Sequence, residues 1–250
     1  VKLCYNIHKF YLFEGWKIII MCYQLSVIIP TLNEADNIKE LINYIKNENI
    51  NCEIIISDAD SSDRTREIAA SQGAKIVNSQ KASRGLQLNR GAEIASAPIL
   101  LFLHADSNLE ESALRSLVTR MEQRSEKVGG CFSLEIKSEH PLLKFISWSS
   151  NLRAKYLNLI FGDQGIFIKK EVFESLGGFP EIELMEDWEF SKKLSRTGEL
   201  LFLDKKIYTS ARRWEEYGVL KTILLMHKIK ILYLFGYSPE KLKKIYRDAR

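Results

Sequence analysis

Three groups of carboxylates and polar side chains each stand directly after a short apolar run in this chain of 250 residues. Asn33 and Glu34 follow Leu25 to Ile29, and Asp58, Asp60 and Asp63 follow Ile54 to Ile56. His104, Asp106 and Ser107 follow Ile99 to Leu103. An isolated Asp at a strand-to-helix turn is ordinarily a helix cap, its oxygen accepting a bond from a free backbone N–H. Three acidic turns on one rim ask for more, because carboxylates held close together repel unless a cation or a ligand donor sits among them. The clustering therefore points to a metal or a hydroxyl-rich ligand. Further along, Glu186 and Asp187 open a predicted helix, where the plainest role for an acidic pair is to complement the positive end of the helix dipole.

The elements that must position these groups are legible from periodicity. Short apolar segments at Leu25 to Ile29, Ile54 to Ile56, Lys75 to Val77 and Ile99 to Leu103 are bounded by turn residues, as strands covered on both faces are. Between them Ile38, Leu41, Ile42 and Ile45, and later Leu114, Leu117, Val118 and Met121, repeat at helical spacing. The alternation is that of βαβ units and a mostly parallel sheet, in which ligands bind outside the carboxyl ends of the strands. Asn33 or Asp36, Ser61 or Ser62, and Ser107 or Asn108 are predicted to cap the following helices. Strands are predicted at Val128 to Ile136, Gly165 to Ile168 and Leu200 to Leu203, with helices near Lys170 to Leu176 and Glu186 to Arg196. No internal repeat is visible.

The three turns, read with their strands, resemble a known family. SVIIPTLNE at Ser26 to Glu34, SDADSSDRT at Ser57 to Thr65 and LLFLHADS at Leu100 to Ser107 are similar to the nucleotide-binding half of a family 2 glycosyltransferase of the GT-A fold. RGLQLNRGA at Arg84 to Ala92, GDQGIF at Gly162 to Phe167, GGFPEIELMEDWEF at Gly177 to Phe190 and SARRWEEYGVL at Ser210 to Leu220 resemble one branch of it. That branch is often labelled selenium-domain-associated or arsenosugar-biosynthesis glycosyltransferases. The resemblance implies a single domain over 24–250: a nucleotide-binding half at 24–107, an acceptor and catalytic half at 108–218, and basic amphipathic helices at 219–250.

It also implies roles. Asp106 would hold a divalent cation, Mg²⁺ or Mn²⁺, against the diphosphate of a UDP- or GDP-sugar, easing departure of the leaving phosphate as a Lewis acid does. Relatives often have Asp-x-Asp at this turn; here His104 takes the first place, where metal, sugar and core are all open to it. Asp58 or Asp60 would accept hydrogen bonds from base or ribose, beside Pro30, Thr31 and Glu34, and Arg84 would lie near the nucleotide. Of the acidic pair Glu186 and Asp187, Asp187 would be the general base of an inverting transfer, taking the acceptor's proton from the face opposite the leaving group. Asp163 and Gln164, between Gly162 and Gly165, would line the acceptor side, where backbone approaches the sugar closely. Arg212 and Arg213 could clamp the diphosphate and Trp214 stack on a sugar, or all three could pack under the C-terminal segment.

Composition sets the outer bounds. With 46% apolar and 27% charged residues, the chain is a globular protein with enough length for a core without staples. A net charge of +4 is too small to indicate nucleic-acid binding. Cys4, Cys22, Cys52 and Cys131 form no CxxC pair, consistent with a reducing compartment. No apolar run reaches the ~20 residues of a spanning helix. The expected location is the cytoplasm or the inner face of its membrane. The segment 1–23 reads as an extension from an over-long open frame, with Met21 as the start. From Lys205 to Arg250 twelve basic residues face four acidic ones, so that this segment could rest on an anionic membrane, approach a lipid-linked acceptor in place of a small one, or form a homodimer. Two other functions compete. IIISDADSS at Ile54 to Ser62 resembles the Asp-x-Asp motif of haloacid-dehalogenase-type phosphohydrolases, with Asp58 and Asp60 in the reaction. A nucleotide-sugar-binding protein without turnover would show the same motifs.

Overall fold

The computed structural model describes residues 8–13, 16–21, 23–79 and 81–248. β1 (His8–Phe13) and β2 (Trp16–Met21) pair antiparallel as a separate two-stranded sheet. The rest of the extension expected over 1–23 lies largely outside the described residues.

The first half follows the periodicity. β3 (Leu25–Thr31), α1 (Ala35–Asn47), β4 (Cys52–Asp58), α2 (Thr65–Ser71), β5 (Lys75–Asn78), α3 (Arg84–Ile94) and β6 (Ile99–Phe102) alternate along the chain. β5, β4, β3 and β6 lie side by side and parallel. Alternate residues feed two cores, as the period of two along a strand requires. Leu25, Val27 and Ile29 pack with the α1 stripe of Ile38, Leu41, Ile42 and Ile45, whereas Ile28, Ile55 and Leu100 meet Leu88 and Ala92 of α3. α3 comes so close to the sheet that a Cβ on Gly91 would stand 2.4 Å from the Ile28 Cγ2 atom, which explains glycine there.

The second half comprises β7 (Asn108–Leu109), α4 (Ala113–Gln123), β8 (Lys127–Lys137) and α5 (Pro141–Leu157). It continues with a 3₁₀ turn (Gly162–Gln164), β9 (Ile166–Lys169), α6 (Lys170–Ser175), α7 (Glu186–Leu194) and β10 (Glu199–Ser210). α8 (Arg212–Tyr217), α9 (Val219–Leu234) and α10 (Pro239–Asp248) follow. The eight-stranded sheet has the order β5-β4-β3-β6-β9-β8-β10-β7. β8 and β10 are parallel, but β9 runs antiparallel to both β6 and β8, and β7 is antiparallel to β10. Reversal of β9 has a consequence for the site: its beginning, not its end, lies at the rim where β3, β4 and β6 finish.

α5 was not anticipated by periodicity, for a physical reason. Its buried positions include Ser147, Ser150 and Ala154, while Phe145 and Trp148 point outward. The polar side chains serve the edge of β8. Asn151 Oδ1 accepts from Leu134 N at 2.8 Å, its Nδ2 donates to Leu134 O at 3.0 Å, and Ser147 Oγ accepts from Ile136 N at 3.0 Å. Helix and strand are thus joined by side-chain bonds that replace a missing neighbour strand. No described helix is long and apolar enough to cross a membrane.

Candidate active site

At the rim, the turns after β3 and β4 are tied to each other. Thr31 Oγ1 donates to Asp58 Oδ2 at 2.7 Å, and Ser61 donates to Asp58 through N at 2.8 Å and through Oγ at 2.5 Å. Asp58 is fully buried, with Arg66 Nε 3.6 Å away. Asp60 is the solvent-facing member of the pair, in the left-handed region at φ +65° and 3.5 Å from Arg66 Nη1. Pro30 and Glu34 are half-buried on the same turn, Glu34 accepting from Asn37 Nδ2 at 2.7 Å.

The expected caps are corrected by this network. Asn33 and Ser61 bond across the two turns, Asn33 N donating to Ser61 Oγ at 2.9 Å and Asn33 Oδ1 accepting from Ser62 N at 2.9 Å. The first amide of α1 donates instead to Asp63 Oδ2 at 3.1 Å, from the neighbouring turn. Bonds from Thr65 and from the Ala35 amide hold the Asp63 carboxyl below its ordinary value. α4 is served likewise: Ser112 N donates to Glu48 Oε1 at 2.7 Å, while Ser107 and Asn108 lie in or before β7. Folding brings a stronger acceptor from another element than the local hydroxyl or amide, so the cap comes from across the fold.

Beyond β6 a small cavity is lined by Arg84, His104, Gly162, Glu186 and Asp187, over the apolar floor of Leu88, Phe102 and Phe179. Asp187 is held from two sides, its Oδ2 accepting from Gly162 N at 3.0 Å and its Oδ1 from Trp188 N at 2.7 Å. A Cβ on Gly162 would lie 3.1 Å from His104 Nε2 and 3.6 Å from Asp187 Oδ2. Glycine here lets an imidazole and a carboxylate converge on one backbone atom. Glu186 is buried, with Arg84 Nη1 3.6 Å from its Oε1. Burial and the neighbouring Asp187 push the Glu186 carboxyl above its ordinary value, and Arg84 opposes them. Asp106 stands exposed two residues past His104. No group of three or more His, Cys, Asp or Glu is gathered among the described residues.

On the far side of Asp187 the expected Asp163 and Gln164 join Arg153, Phe161 and Lys230, which no motif had singled out. Asp163 is enclosed in the 3₁₀ turn with Oδ1 unpartnered, and burial pushes its carboxyl up against the pull of Arg153. Gln164 Oε1 accepts from Arg153 Nη2 at 3.0 Å, while its Nε2 and the Trp188 Nε1 are buried without a partner. The Arg153 guanidinium lies 3.6 Å from the centroid of the Phe161 ring, and Lys230 Nζ lies 4.8 Å from it. Such cation–ring contacts hold best where water is excluded. Burial lowers both Arg153 and Lys230, against the attraction of Asp163 and Asp187. No spacing or motif marks Arg153 and Lys230 apart from the other two cations of their helices, Lys144 and Lys155 on one and Lys221 and Lys228 on the other.

The residues after β10 are placed elsewhere. Trp214 packs with Ile136, Leu143 and Ala211, and Arg212 is exposed on α8; neither lines the cavity. The packing alternative is the one seen for Trp214. The side chain of Arg213 lies outside the described residues.

Comparison with known proteins gives this geometry a family. Similar structures include the mannosyltransferase PcManGT from Pyrobaculum calidifontis in complex with GDP-Man and Mn²⁺, with TM-score 0.65 and 17% identity over 90% of this chain and 69% of that one. Another is S. aureus TarS 1-349 in complex with UDP-GlcNAc, with TM-score 0.60 and 18% identity over 75% of this chain and 58% of that one. The fold is the GT-A fold of glycosyltransferases. Residues 26–175 match the model of Glycosyl transferase family 2, and the chain belongs to that family. Among curated relatives, the 4,4'-diaponeurosporenoate glycosyltransferase of Staphylococcus haemolyticus is 34% identical over 102 residues, 38% of this chain and 27% of the relative. The dolichol-phosphate mannosyltransferase of Pyrococcus furiosus is 32% identical over 111 residues, 41% of this chain and 31% of the relative. The match thus spans about a third of the length of these relatives.

Proposed function

We propose that the protein transfers a sugar from a nucleoside-diphosphate donor to a hydroxyl acceptor with inversion at the anomeric carbon. The observation that carries the reading is the Asp187 carboxylate, pinned by two backbone amides and facing His104 across Gly162. A base fixed in this way can take the acceptor's proton as its oxygen attacks, the diphosphate leaving from the opposite face. Glu186, buried beneath Arg84, serves to hold that guanidinium where diphosphate oxygens would lie. Pro30, Glu34 and Asp60 form the nucleoside side, with Thr31 and Asp58 bracing the turn from within. Asp163 and Gln164 do not line the cavity but back its acceptor side from within, Gln164 Oε1 accepting from Arg153 Nη2.

The residues also fit a divalent cation. Mg²⁺ and similar ions are commonly held by one or two carboxylates together with substrate phosphates, not by an all-protein cage. Asp106, exposed at the rim, can supply one such carboxylate. A cation held by Asp106 would neutralise charge on the departing diphosphate. The complexes of the P. calidifontis and S. aureus neighbours with GDP-Man and Mn²⁺ and with UDP-GlcNAc support donor and metal alike. Resemblance to the selenium- and arsenosugar-associated branch supports a small arsenic- or selenium-linked acceptor.

A phosphohydrolase built on Asp58 is not supported, since a nucleophile must be reachable and this carboxylate is buried with both oxygens engaged. Titration of UDP and GDP, with and without Mn²⁺, tests the donor side. One nucleotide should bind in a metal-dependent way to wild type and lose that dependence in Asp106→Ala. Asp187→Asn should keep nucleotide binding while turnover falls about 10²- to 10⁴-fold. Binding that survives in wild type with no turnover of any donor, even to water, would indicate a binding protein instead.

A further inference from the structure

α5 and α9 carry an outward surface that the sugar-transfer reading does not use. On α5 Leu142, Phe145, Trp148 and Tyr156 fall on one helical face and are all exposed, Tyr156 to 69%. Phe145 and Trp148 touch, with ring centroids 5.6 Å apart. On α9 Leu220, Leu224, Ile231 and Leu234 make a second such stripe, continued by Phe235, which is 81% exposed. Buried positions of both helices, Leu143 and Ala154 on one and Thr222 and Ile229 on the other, point the opposite way. The two helices approach each other at two points: Leu143 and Ile146 share a cluster with Val219, and Arg153 and Lys230 meet at Phe161. Exposed apolar area of this extent is uncommon on a surface meant only for water.

Charge identifies the occupant. Across the 33 residues of α5 and α9 there are six Lys or Arg and no Asp or Glu, in a chain with 32 acidic residues. Lys155, Lys221 and Lys228 border the stripes in solvent, and Lys144 pairs with Glu139 at 2.6 Å. A second copy docked face to face would set lysine against lysine, because a two-fold interface presents the same patch from both sides. An anionic bilayer answers both features. Apolar and aromatic side chains enter the interfacial region, and lysines reach the headgroups.

We propose that α5 and α9 form a peripheral docking face for an anionic lipid bilayer. Phe161, between Arg153 and Lys230, adjoins Gly162 of the cavity lining, so both docking helices contact the segment that enters the site. That contact bears on the acceptor only if Asp187 is the base; the docking itself stands apart from the catalytic reading.

Co-sedimentation with phosphatidylcholine vesicles, with and without phosphatidylserine at roughly a third of the lipid, tests it. Full-length protein should pellet with the anionic vesicles, remain in the supernatant with neutral ones, and be released by raised salt as screening shortens. Lys221→Glu with Lys228→Glu should reduce partitioning at least about thirtyfold. Phe145→Ser with Trp148→Ser should reduce it at least about tenfold, with an unchanged circular-dichroism melt because both rings are exposed. Three results would overturn the proposal: no pelleting at low salt, pelleting indifferent to both double variants, or a dimer in solution that the Phe145 and Trp148 changes dissociate.

Discussion

Glycine at position 162 shows how far a single side chain can be constrained by chemistry. Its amide donates to Asp187, and the space where its Cβ would stand is bordered by His104 Nε2 at 3.1 Å and Asp187 Oδ2 at 3.6 Å. Neither neighbour is the loose end of a long chain, so an added methyl must displace an imidazole or a carboxylate by a few tenths of an ångström. Gly162→Ala is expected to lower turnover by up to about a hundredfold while the melting temperature stays near that of wild type. Unaltered kinetics would show that Asp187 and His104 need not converge. Glu186 illustrates the complementary case, an acid whose burial is opposed by Arg84 and by a backbone hydrogen bond. Its neighbour Asp187 has its geometry fixed by two backbone amides.

At the scale of elements, the less obvious work is done by α5. β8 is paired along its length with β10, but its other edge is bonded to β9 only around Gly129 and Gly130. Asn151 completes the edge at Leu134 with both amide atoms. Asn151→Ala should leave a buried N–H and C=O without partners, a loss of about 2–3 kcal/mol. In a domain of this size that corresponds to roughly 5–10 °C in thermal midpoint by calorimetry. A shift under one degree would mean that water restores both bonds. The capping of α1 by Asp63 and of α4 by Glu48 follows the same principle, that orphan amides are met by whatever acceptor the tertiary fold delivers.

For the molecule as a whole, acid stability turns on a buried carboxylate remote from the rim. Glu53 is enclosed near the start of β4. Burial alone would raise its carboxyl, yet bonds from Lys75 Nζ and Ser26 Oγ, both at 2.6 Å, and from Ser96 bring it down to about 2. A depressed carboxylate stabilises the fold above its ordinary value near 4.5, and that contribution disappears as pH falls toward 2. The difference amounts to about 3 kcal/mol. Denaturant unfolding of wild type should therefore steepen in its pH dependence below about 4.5, relative to Glu53→Gln, which should be less stable at neutral pH. Parallel pH profiles for the two proteins would remove Glu53 from the account of acid unfolding.

Much of this architecture was legible in one dimension. The strands β3 to β6, the stripes of α1 and α4, and the acidic rim are local facts, since side-chain period and apolar continuity are set by neighbours a few residues away. Glu186 and Asp187, and the glycine-flanked Asp163 and Gln164, were singled out by motif resemblance, which periodicity does not supply. Pairings between distant segments could be read from neither. The burial of Asp58 under Thr31 and Ser61, the reversal of β9, and the packing of Trp214 against Leu143 depend on which surfaces meet when the sheet closes. So do Arg153 and Lys230 at Phe161, separated by 77 positions in the chain. Periodicity states which side of a helix seeks cover; only the tertiary structure decides what covers it, because that choice is made by long-range packing and by the orphan polar groups that packing leaves to be satisfied.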